Sequence, residues 1–78
     1  MPTILIIYGY RFFFYSNDHD PVHIHVEKKD KTAKFNLQPI ELVKSRKFNA
    51  SELRELRKLV EEYSGFFKTK WYEYFNPQ

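Results

Sequence analysis

A chain of 78 residues has room for one domain and one core, and folding at this size buries only roughly 60 to 65% of the unfolded surface. With no cysteine, disulfides and thiolate metal sites are excluded, so any metal must be held by His, Asp or Glu. A net charge of +3 and a pI of about 9.2 permit an anionic partner, RNA or an acidic protein, without requiring one.

The aromatic fraction of 19%, with 8 Phe, 6 Tyr and 1 Trp, exceeds the needs of so small a core. Some rings are therefore expected on the surface, awaiting a second copy in a homo-oligomer, a protein partner or stacked bases. The opening Met1–Ile7 has an apolar run but no basic n-region and no small-residue cleavage site, and it is too short to span a bilayer. A cytoplasmic protein without membrane contact is expected.

Thr3–Tyr8 favours a strand that ends at Gly9 as a turn or bulge. Tyr10–Tyr15 is apolar on both faces except at Arg11, the pattern of a central strand. The polar stretch Ser16–Pro21 makes a loop, with Pro21 holding its predecessor extended. Val22, Ile24 and Val26 then alternate with His23, His25 and Glu27, which directs both histidines away from the core. Lys28–Lys31 is a charged turn into Thr32–Leu37, whose Ala33, Phe35 and Leu37 face inward while Lys34 and Asn36 share the histidine face.

After Pro39, Ile40–Val43 is a further short strand or an extended lead-in, and Lys44–Lys47 is a basic surface turn. Leu53, Leu56, Val60, Tyr63, Phe67, Trp71 and Tyr74 recur at helical steps, with Asn49 or Ser51 as N-cap and Pro77 as stop. Gly65 marks a bend or a break. The expected architecture is a single α+β domain over residues 1–78. About four antiparallel strands within 3–43 precede a long C-terminal helix, about 50–75, packed on one face.

All three histidines fall within His19–His25, and imidazole serves proton transfer, metal binding and pH sensing alike. On a strand, the i, i+2 spacing of His23 and His25 puts two imidazoles roughly 7 Å apart on one side, within reach of a shared divalent ion. His19, Asp18, Asp20 or Glu27 would supply a third ligand to an ion such as zinc. A cofactor-free alternative has one imidazole as base and the other as acid in RNA cleavage by the ribose 2′-OH. Arg11 would then bind the phosphorane if it shares the face, Lys34 would assist, and Tyr15 or Phe13 would stack a base. In a third alternative the histidines are solvated surface groups and the basic clusters are solvated turns.

The segment Gly9–Glu27, with Tyr10-Arg11-Phe12-Phe13-Phe14-Tyr15 and Pro21-Val22-His23-Ile24-His25, resembles the family of short prokaryotic proteins catalogued as domain of unknown function 4160. The likeness continues through Lys31–Phe35, Pro39–Leu42, Phe48–Ala50 and Glu52-Leu53 onward to Trp71 and Tyr74-Phe75. Such proteins are typically encoded beside a second small protein, in pairs that resemble toxin–antitoxin modules. The resemblance implies that this chain is the toxin-like component, that its cognate partner is encoded by a neighbouring gene, and that Arg11, Pro21, His23 and His25 are the site. Three departures from the family pattern are Val22 in place of a second proline, Asn36 in place of an aromatic and Lys47 in place of glycine. His19 is variable ground in the family.

The expected function is thus inhibition of host growth by a ribonuclease-like action on RNA, with His23, His25 and Arg11 as catalytic residues and Tyr15 and Lys34 as substrate-binding residues. A non-enzymatic protein- or metal-binding module is the alternative, with His23 and His25 as metal ligands.

Overall fold

Two-residue turns join most of the strands, so sequence neighbours become sheet neighbours. In the computed structural model, which describes residues 3–19 and 21–75, five strands form an antiparallel meander. They are β1 (Thr3–Ile7), β2 (Tyr10–Phe13), β3 (His23–Lys28), β4 (Lys31–Leu37) and β5 (Ile40–Arg46), and they lie in chain order across the sheet. Tyr8 and Gly9 both take positive φ, 52° and 83°, as the tight turn between β1 and β2 requires, and Lys29 does so at 56° between β3 and β4. The single helix α1 (Ala50–Phe75) closes the chain.

Alternation sorts the sheet into two faces. Tyr10, Phe12, Phe14, Ile24, Val26, Ala33, Phe35 and Leu37 are buried under Leu56, Leu59, Val60, Phe67 and Trp71 of the helix. Each large apolar side chain so buried stabilises by about 1.5–3 kcal/mol. The helix start is fixed by a reciprocal cap: Asn49 Oδ1 accepts the Glu52 N–H at 2.8 Å, and Glu52 Oε1 accepts the Asn49 N–H at 3.0 Å. Phe48 before the cap and Leu53 beyond it occupy hydrophobic-staple positions, and both join the core.

The α+β architecture, a sheet followed by one long helix, is as the sequence suggests, with four local differences. Ile40–Arg46 is a full fifth strand, so Lys44 and Arg46 belong to β5 rather than to a turn. A register shift between Lys34 and Phe35, where Lys44 and then Leu42 are the partners, leaves Val43 as the extra residue of a bulge. The helix runs unbroken through Gly65, because packing of its apolar stripe outweighs the weak propensity of one glycine. Tyr74 is exposed, and Phe75 packs on the core in its place. Pro77, the expected stop, lies outside the described residues. No helix among the described residues is long and apolar enough to cross a membrane.

Candidate functional site

Register brings the chemistry together on the sheet face opposite the helix. Arg11 pairs with Glu27, Phe13 with His25, His25 with Lys34, and Lys34 with Lys44. Directly opposed residues of an antiparallel sheet share a face, so Phe13, His25, Lys34 and Lys44 form one row across four strands. Arg11, Glu27, Thr32 and Arg46 form the next.

The loop after β2 folds Asp18 back over this face. Tyr15 donates its N–H to Asp18 Oδ2 at 2.8 Å, and the Asp18 N–H returns to the Tyr15 carbonyl at 3.1 Å, a tight turn that presents the carboxylate to β3. His23 Nε2 and His25 Nε2 each lie 3.2 Å from Asp18 Oδ2. The three donor atoms of Asp18, His23 and His25 lie within 4.8 Å of one another. Burial pushes the Asp18 carboxyl up, but the Tyr15 N–H and the two imidazoles outweigh it, leaving it below its ordinary value. Burial also pulls the His25 imidazole down, and His23 and Lys34 add to that against the opposing pull of Asp18.

His23 is 3% exposed, where strand alternation alone places it at the surface. The pairing of β2 with β3 stops at Phe13 and His25, and beyond that point Trp71 of the helix packs its ring on His23 with centroids 4.8 Å apart. His25 covers the other side, edge-on at 5.0 Å. His23 Nδ1 lies 2.8 Å from the Pro21 carbonyl oxygen, which can only accept, so Nδ1 carries a hydrogen. Its Nε2 is buried with no hydrogen-bond partner, because the approach to Asp18 is close but not aligned as a hydrogen bond.

Beside this cluster an open cleft of about 400 Å³ runs along the sheet. Phe13, Tyr15 and His25 form its aromatic side, and Lys34, Lys44 and Arg46 its cationic side. His25 stacks on Phe13 at 5.4 Å and meets Tyr15 edge-on at 4.7 Å. Tyr15 keeps nearly half of its surface exposed.

Of the residues singled out from sequence, His23, His25, Tyr15 and Lys34 meet in this region, with His23 buried rather than presented. Arg11 does share the face, but its guanidinium is occupied: it pairs with Glu27, donates to Thr3 Oγ1 at 2.9 Å and lies over the Phe13 ring. That pairing also removes Glu27 from the set of third ligands. Asp18 is the carboxylate that joins the histidines. His19 is exposed and outside the cluster, and Asp20 lies outside the described residues. Lys44 and Arg46 are hidden in the sequence by their likeness to a basic turn; their signal is the i, i+2 spacing of the two cations.

No curated protein and no solved structure matches the chain. Residues 9–72, from the first turn through the Trp71 that covers His23, match the family described as Domain of unknown function (DUF4160). The chain belongs to that family.

Proposed function

We propose that this protein is the toxin-like member of a two-gene module and acts on RNA laid across the basic cleft, with the histidine cluster at its reacting end. The observation that carries this reading is the row Phe13, His25, Lys34 and Lys44. Two lysines directly opposite one another destabilise a bare sheet, and a bound phosphate offsets that repulsion. Stacking on the exposed Tyr15 ring suits an unpaired base, which points to single-stranded RNA rather than a duplex.

His25 is the member of the cluster that also lines the cleft, so it meets the ribose-phosphate, while His23 and Asp18 position it. Exposed Ile6 and Tyr8 at one edge of the sheet, and Leu42 and Val43 at the other, are surfaces for the neutralising partner.

Expression alone should arrest a bacterial host, co-expression with the neighbouring gene product should restore growth, and His23→Ala/His25→Ala should abolish the arrest, its folding verified by circular dichroism because His23 is buried against Trp71. In vitro, catalytic amounts should degrade an excess of RNA. Arrest by a folded double variant would remove the histidines from the mechanism, and an effect only in proportion to target would make the protein a binder rather than an enzyme.

A further inference from the structure

We infer that Asp18, His23 and His25 hold one divalent transition-metal ion of the zinc class. The proposal concerns the same histidines as the RNA reading but does not depend on their acting on RNA.

The argument starts from His23 Nε2. With Nδ1 donating to the Pro21 carbonyl, Nε2 of the neutral ring carries a lone pair, and it is buried facing a carboxylate that has only lone pairs to offer. A buried acceptor against a partly buried carboxylate is unfavourable unless something positive lies between them. A proton on Nε2 would turn the contact into an ion pair, yet at 3.2 Å that pair lacks the alignment of a hydrogen bond. An ion bound by both groups needs no such alignment, because each donor points at the ion and not at the other.

The spacing around Asp18 agrees. Four donors placed tetrahedrally at about 2.0–2.1 Å from zinc stand about 3.3 Å apart, and Asp18 Oδ2 stands 3.2 Å from each imidazole Nε2. The donor set as a whole spans 4.8 Å, so closing on one ion draws the two imidazoles together across the Asp18 carboxylate.

The outer partners agree too. A metal-bound imidazole characteristically donates its other N–H to a carbonyl or carboxylate, and His23 Nδ1 does so to Pro21. The Tyr15 N–H holds the Asp18 carboxylate. Two imidazoles and one carboxylate suit zinc and its first-row neighbours better than magnesium or calcium, and three protein ligands leave positions for water or a phosphoryl oxygen.

The test is binding of Zn²⁺ and Co²⁺ to tag-free, chelator-treated protein in the absence of RNA, by calorimetry and by the visible absorption of the cobalt form. One ion per chain is expected. Asp18→Asn, whose amide oxygen can still accept the Tyr15 N–H, should bind more weakly by at least the roughly ten- to hundredfold that loss of an outer partner costs, as should His25→Ala. His19→Ala should bind like the wild type. No saturable binding by folded wild type, or equal binding by wild type and Asp18→Asn, would overturn the proposal. Stoichiometric metal in a protein that leaves RNA intact would uphold the centre and remove the RNA reading. RNA cleavage by a chain that binds no ion would do the reverse.

Discussion

Gly65 lies inside the helix, exposed, and a Cβ added there would meet nothing within 4 Å. The sequence suggests a bend at this point, yet the helix continues through it, so the glycine brings its propensity cost without a turn or a close approach to justify it. Gly65→Ala should therefore stabilise the fold by about 1 kcal/mol, from the helix propensity difference and the narrower unfolded ensemble. For a domain of this size that raises the melting temperature by roughly 4–8 °C. Thermal unfolding followed by far-UV circular dichroism measures it, with urea midpoints as the cross-check on two-state behaviour. Growth arrest and its rescue should be unchanged, because the glycine is on the exposed side of the helix. A lower melting temperature would refute the reasoning and show that the bare backbone at Gly65 serves a packing need.

Asn49→Ala removes the acceptor for the Glu52 N–H and should cost about 1 kcal/mol, read from the denaturant midpoint. Glu52 is held below its ordinary value of 4.5 by its hydrogen bond from Lys31 and by the Asn49 N–H. A depressed carboxylate contributes stability that is present above the unfolded value and lost as pH falls through the folded one. The wild type should thus lose stability more steeply than Glu52→Gln on acidification below about pH 4.5, as melting temperatures across an acid series would show. Lys34→Glu/Lys44→Glu should weaken single-stranded RNA binding and flatten the plot of log affinity against log salt by about 0.7 for each phosphate no longer neutralised. Filter binding at several salt concentrations reads both, and an unchanged slope would place RNA elsewhere.

The faces of β3 and β4 are legible in the sequence because burial on one side imposes alternation, clean over Ala33–Leu37 and interrupted in Val22–Val26 at the buried His23. The fifth strand is obscured for the complementary reason: beyond Ile40 every residue of this edge strand is exposed, so no buried face writes a pattern, and the Val43 bulge shifts the register as well. The histidine pair is visible as spacing. The burial of His23 is not, since it depends on Trp71 arriving from the far end of the helix. Choosing Asp18 among four candidate ligands depends on the turn at Tyr15, which the sequence marks only as a polar loop.

Trp71 touches Phe14 in the core at 5.2 Å and His23 in the cluster at 4.8 Å. The last turns of α1 are therefore part of the site, although they carry none of its donor atoms. While the strands stand without them, the aromatic layer of the sheet is uncovered and His23 is open to water, so its tautomer and direction are free. Chemistry on the outer face then awaits docking of the helix on the inner one. An activity of the kind proposed above would stay silent in a partly folded chain and begin with the event that completes the core.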